Sequence, residues 1–129
     1  MIAVDSSVWI AHFRNVGSEP VGVLRSLFGE TELLAGDIVL LEVLQGARDE
    51  AHAVRIAREM NEFSVVRMLD EEIAVQAARN YRALRGRGIA IRKTVDLIIG
   101  TYCIEHGHTL LHDDRDFEPM RAHLGLLVL

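Results

Sequence analysis

Cysteine is nearly absent from this chain. Cys103 is the single one in 129 residues, which excludes an intrachain disulfide framework and a zinc cage built from thiolates. Placed in an apolar segment, it reads as a small buried hydrophobe. Long apolar runs are also missing, since none approaches the roughly 18 uninterrupted residues that a membrane span requires. The longest candidate, Asp37–Gly46, is interrupted by Glu42. The opening Met1-Ile2-Ala3-Val4-Asp5 carries no basic leader and no small-residue cleavage site, so no signal peptide is read there and a cytoplasmic location is expected. There is no Pro/Gly/Ser-rich linker, internal repeat or low-complexity tract. With half its residues hydrophobic, the chain can bury a core unaided, and one domain over residues 1–129 is expected.

Positive charge is in short supply, and the formal net charge is −5. That ordinarily argues against nucleic acid as a partner. The distribution weakens the argument, because Arg79, Arg82, Arg85, Arg87, Arg92 and Lys93 fall within one short window. An acidic total is also what a carboxylate metal site produces before its cation arrives.

The elements alternate. Met1 to Val4 is a short apolar run that stops at Asp5, as a buried strand does. Ser6 or Ser7 can cap a helix running to about Arg14, with Trp9 and Phe13 one turn apart. A second helix spans Glu19 to Phe28, with Pro20 in its first turn and Gly29 beyond its end. Glu32 to Ala35 predicts a weak strand, and Asp37 caps a helix reaching Gln45. Helical spacing continues from Glu50 to Phe63. A valine-rich strand follows over Ser64 to Met68, then a long helix from Asp70 to about Gly86. Thr94 caps another helix that Gly107 closes. Thr109 to Leu111 is a strand, Asp116 to His123 a short helix, and Leu126 to Leu129 a last strand. Short strands separated by helices imply right-handed crossovers and a mostly parallel sheet covered on both faces, a three-layer α/β/α sandwich.

Several acids sit where a solvated side chain is least expected. Glu42 is flanked by Ile38-Val39-Leu40-Leu41 and Val43-Leu44. A carboxylate beside so much apolar surface loses hydration and takes a proton or finds a partner, unless it lies on the one polar stripe of its helix. Asp96 stands in Thr94-Val95-Asp96-Leu97-Ile98-Ile99, where the helix dipole alone stabilises an acid by up to roughly 1 kcal/mol; a structural and a functional reading are both open. Asp5 ends the first strand and can equally cap the next helix. Asp113, Asp114 and Asp116 crowd after the fourth strand, and three acids there repel unless a cation intervenes. Ligands of open parallel sheets bind beyond the carboxyl ends of strands, where strand order reverses. Adjacent first and fourth strands would bring Asp5 and the Asp113–Asp116 group together. Oxygen donors suit hard cations such as Mg²⁺ and Mn²⁺, and metal-assisted phosphoryl chemistry.

The ordered set Asp5-Ser6-Ser7-Val8, Leu41-Glu42 up to Gly46, Asp96-Leu97-Ile98-Ile99-Gly100 and Leu110-Leu111-His112-Asp113-Asp114-Arg115-Asp116-Phe117 resembles a PIN-domain ribonuclease. Its nearest likeness is to the VapC toxins of VapBC toxin–antitoxin pairs, and it runs through essentially the whole chain. The resemblance implies a five-stranded sheet of order 3-2-1-4-5. It also implies an acidic quartet at Asp5, Glu42, Asp96 and Asp114, an auxiliary acid at Asp116 and a supporting hydroxyl at Ser7. It further implies Mg²⁺ or Mn²⁺ as cofactor, structured RNA such as tRNA or rRNA as substrate, a homodimer, and inhibition by a small VapB-like antitoxin. His112 departs from the Thr or Ser often found before the acidic pair, and reads as a strand-end histidine facing solvent or a neighbouring carboxylate. Asp113 matches a polar position that is not a ligand.

Arg85, Arg92 and Lys93 are candidate contacts for RNA phosphates, against the alternative of a solvated helix face. Trp9 and Phe13 are read as core or dimer packing rather than as base-stacking groups. Other classes fit less well. A haloacid-dehalogenase phosphatase needs an acid where Ser7 stands, and a receiver domain needs its acidic pair after the first strand. A PIN-like scaffold that binds protein or RNA without cutting is the non-enzymatic alternative, and acids retained at all four ligand positions argue against it.

Overall fold

The computed structural model describes residues 1–129. Its sheet has five strands, β1 (Ile2–Val4), β2 (Leu33–Gly36), β3 (Ser64–Val66), β4 (Thr109–Leu111) and β5 (Leu127–Val128), in the order β3-β2-β1-β4-β5. Every pairing is parallel, so the expected topology holds throughout. The helices are α1 (Ser6–Phe13), α2 (Glu19–Leu27), α3 (Asp37–Gln45), α4 (Glu50–Met60), α5 (Glu71–Arg85), α6 (Thr94–His106) and α7 (Glu118–Leu124). They pack as two sets: α1 touches α2 and α3, and α3 touches α4, whereas α5 touches α6 and α7.

Short strands suffice because they are buried. Ala3, Val4, Leu33, Leu34, Ala35, Leu110 and Leu111 are all enclosed, as a parallel sheet covered on both faces requires. Trp9 lies in the core and stacks on Phe13 and Phe28, with Phe63 beside it, so the packing reading of Trp9 and Phe13 holds. Cys103 is buried as expected, and desolvation pushes its thiol up to about 12. Gly100 allows α6 to meet α7 closely, since a Cβ there would overlap the Sδ and Cε of the buried Met120. No helix is long and apolar enough to cross a membrane.

Several boundaries differ from the sequence expectations, each for a local reason. Asp5, not Ser6 or Ser7, caps α1 by accepting the Ser7 amide. Gly36 occupies the cap position of α3, and Asp37 is its first residue. The Asp37 carboxylate instead accepts the Met68 amide at 3.2 Å, tying the chain after β3 to the start of α3. Lys93 rather than Thr94 precedes α6, with no side-chain capping bond. The expected Asp116–His123 helix is split into a 3₁₀ turn (Arg115–Phe117), capped by Asp114, and α7.

Candidate metal centre

β1 and β4 are neighbours in register, Val4 beside Leu111, so the residues that follow them leave the sheet at the same edge. This is where strand order reverses, and the crevice beyond it receives Asp5 from β1 and Asp114 and Asp116 from β4. The Asp5 amide donates to the Leu111 carbonyl at 2.9 Å, extending the β1–β4 ladder up to the acids themselves. α3 contributes Glu42 and the first turn of α6 contributes Asp96.

Asp5 is 2% exposed. Its Oδ2 accepts from the Ser7 amide at 3.0 Å and from the Ser7 hydroxyl at 2.6 Å, while its Oδ1 is buried without a hydrogen-bond partner. Burial raises the Asp5 pKa, Ser7 opposes the rise, and Asp114 adds to it. The Ser7 Oγ also accepts from the Asp113 amide at 3.1 Å, so one hydroxyl joins the ends of both strands.

Asp96 is 3% exposed, and its Oδ2 likewise has no hydrogen-bond partner. Burial first, and then the negative charges of Asp5, Asp114 and Glu42, push it to about 7 against an ordinary 3.8, with Lys93 opposing. Asp96 does stand in the first turn of α6, as the structural reading had it, and it is also buried and faces the other acids. Glu42 is half-buried and accepts from the Ser6 hydroxyl at 2.8 Å. Burial raises its pKa and Ser6 lowers it, with Asp5 and Asp114 adding to the rise.

Asp114 behaves in the opposite way. Burial favours its neutral form, but the Asp116 amide and Lys93 outweigh that and hold it below the usual carboxylate range. Asp114 Oδ1 accepts from the Asp116 amide at 2.9 Å, and Oδ2 accepts from Lys93 Nζ at 3.0 Å. Lys93 Nζ is also 3.9 Å from Asp96 Oδ2.

Carboxylate oxygens of Asp96, Asp114 and Asp116 lie within 4.8 Å of one another. Asp116, expected as an auxiliary acid, thus stands in the tightest group. Asp5 and Glu42 flank that group and are linked to it electrostatically through Asp96 and Asp114. The donor set is entirely oxygen, and two buried carboxylate atoms lack partners, a costly state for polar groups unless a cation serves them. The residues fit a hard divalent ion.

The remaining sequence candidates fall outside this group. Asp113 is exposed. His112, expected to face solvent or a neighbouring carboxylate, instead accepts the Asp114 amide at Nδ1 at 3.1 Å and lays its ring against Phe117. Arg85 is exposed, with its guanidinium over the Tyr81 ring, and Arg92 is exposed just before the Lys93 that reaches the acids. Sequence reasoning missed two side chains here. Ser6 was considered only as a helix cap, and Lys93 was considered only as a phosphate contact.

The PIN domain family matches residues 2–122 of this chain. Ribonuclease VapC11 of Mycobacterium tuberculosis is 31% identical over 121 residues, which cover 92% of this chain and 90% of the relative. The fold superposes on VapBC2 from Rickettsia felis, solved bound to a DNA fragment from its promoter, with a TM-score of 0.79 at 14% identity, covering 100% of this chain and 98% of that one. Mycobacterium tuberculosis VapC20, described as a sarcin-ricin loop cleaving toxin, gives 0.67 at 21% identity, covering 92% and 93%. The chain belongs to the PIN-domain family, in its VapC ribonuclease branch.

Proposed function

We propose that this protein is a divalent-metal-dependent endoribonuclease that acts as the toxin of a toxin–antitoxin pair. The observation that carries the metal dependence is the convergence of Asp5, Glu42, Asp96, Asp114 and Asp116 beyond the carboxyl ends of β1 and β4, with Asp5 Oδ1 and Asp96 Oδ2 buried and without hydrogen-bond partners. Asp96, Asp114, Asp116 and Asp5 would hold Mg²⁺ or Mn²⁺, with Glu42 beside them directly or through water. What such an ion supplies is charge neutralisation at a phosphate and acidification of a water at neutral pH.

The protein's own side chains do the rest. Ser7 fixes the rotamer of Asp5 and, through the Asp113 amide, its distance from the β4 end. Asp114 is held from both sides by the Asp116 amide and Lys93. Glu42, anchored by Ser6 and more basic than an ordinary glutamate, orients a water and accepts its proton. With water as nucleophile, the products carry 5′-phosphate and 3′-hydroxyl ends. Arg92 and Arg85 supply exposed positive charge for RNA phosphates, an attraction that weakens with salt.

An antitoxin partner comes to this reading from neighbours solved as VapBC toxin–antitoxin complexes, and cleavage of a structured RNA from VapC20, described as a sarcin-ricin loop cleaving toxin. Pairing with a second copy of the chain rests on the family resemblance alone. The direct test is incubation of the purified chain with total RNA in Mn²⁺ and then in EDTA. Discrete fragments with 5′-phosphates in Mn²⁺, and intact RNA in EDTA, are expected. RNA left whole in both conditions would reduce the protein to a binding scaffold.

A further inference from the structure

We propose that Lys93 is a built-in, displaceable counter-ion of the acidic centre, and that it sets how tightly the centre takes a divalent cation. The inference rests on the metal-binding reading above. Lys93 Nζ donates to Asp114 Oδ2 at 3.0 Å and lies 3.9 Å from Asp96 Oδ2. Both acids belong to the three whose oxygens lie within 4.8 Å of one another. An ammonium and a divalent ion would therefore compete for the same oxygens. Each repels the other as well, so both cannot hold those oxygens without cost.

The lysine is placed to leave. It stands just before α6, and its one side-chain hydrogen bond is the one to Asp114, so no other hydrogen bond holds its stem in place. Its side chain is 57% exposed, which means that swinging away opens no cavity in the core. A lysine is a compact point charge on a flexible stem, unlike the planar fork of an arginine. It is also an incomplete partner for the site. At 3.9 Å it faces Asp96 Oδ2 as a charge but does not hydrogen-bond it, so that oxygen, like Asp5 Oδ1, has no hydrogen-bond donor. One positive charge holds Asp114 while the centre waits; a doubly charged ion satisfies what the lysine does not reach.

The test is calorimetric titration of Mn²⁺ into wild type, Lys93→Gln and Lys93→Arg without RNA, each also melted with and without Mn²⁺. Lys93→Gln is expected to bind Mn²⁺ about tenfold more tightly at low salt, with the gain shrinking as ionic strength rises. Its melting temperature should also rise more on adding Mn²⁺ than that of wild type. Lys93→Arg keeps the charge and should bind no more tightly than wild type. If wild type binds and Lys93→Gln binds equally or more weakly, the counter-ion role is wrong and the metal centre stands. Equal tightening in both variants would exclude charge as the cause and overturn the proposal. A wild type that takes no Mn²⁺ overturns the metal centre, and the Lys93 role with it.

Discussion

The starts of α4 and α5 and the crevice at the ends of β1 and β4 use the same residue for opposite purposes. Asp49 and Asp70 cap their helices, each accepting a first-turn amide that has no partner within its helix: His52 N–H at 2.8 Å and Ile73 N–H at 2.8 Å. Both stay exposed, and the amide bond lowers the Asp49 pKa. Asp5 is also a cap, with its hydrogen bond to Ser7 in place. It differs in being buried, in leaving one oxygen without a partner, and in facing other acids. A capping aspartate is complete by itself. Asp5 and Asp96 each keep a buried oxygen without a hydrogen-bond donor, and that is the deficit the proposed cation would fill.

The sharpest way to break this contrast is to neutralise the crevice while keeping its shape. Asp5→Asn with Asp96→Asn should lower RNA cleavage by about a thousandfold, because metal-assisted charge stabilisation is worth several kcal/mol. Asparagine caps helices as well as aspartate does, so α1 should survive and far-ultraviolet circular dichroism should be unchanged. Retained cleavage, or retained growth arrest on expression, would refute the assignment.

Ser7→Ala probes the support rather than the acids. Loss of the 2.6 Å bond to Asp5 and of the link to the Asp113 amide should weaken Mn²⁺ binding by roughly tenfold to a hundredfold. An affinity within twofold of wild type would mean that Asp5 does not depend on this hydroxyl.

The pH dependence of stability should separate the regions next. Folded Asp96 keeps its proton up to about 7, against an ordinary 3.8. Between those values the folded state binds a proton that the unfolded chain releases, so through this group the stability of the metal-free protein falls as pH rises from about 4 to about 7. Asp96→Asn removes that contribution. At pH 8, metal-free, the variant should melt ~5 °C above wild type, with the gap closing towards pH 4. A gap that does not change with pH would show that Asp96 titrates as an ordinary acid.

The smallest effect belongs to the ordinary cap. Asp70→Ala should cost about 1 kcal/mol of stability in denaturant unfolding. It should leave RNA cleavage within twofold of wild type, and a large loss of cleavage would mean that α5 takes part in the site.

Much of this was legible from residue order. The β1 run stopping at Asp5, the valine-rich segment that forms β3 and the Thr109–Leu111 strand follow from hydrophobic pattern. Boundaries shifted at helix starts, where several polar residues compete for one cap, and at the ends of α4 and β3, which stop at Met60 and Val66 rather than Phe63 and Met68. Asp114 was among the legible acids because acids crowded after a strand have no local explanation. Asp96 was less so: a first-turn acid and a buried, neighbour-repelled acid look the same along the chain. Ser6 and Lys93 were read only for their local roles. Their partners, Glu42 and Asp114, are 36 and 21 residues away.

Hydrophobic periodicity and turn residues act within a few positions of themselves, and so the sequence alone determines the alternating elements, the buried parallel strands and the presence of acids in apolar surroundings. Burial and Coulomb interaction act through space. Only the packing of α6 against β4 and of α3 against α1 decided that Asp96 would be desolvated among like charges, that Asp116 would join the closest group, and that a lysine would reach into it.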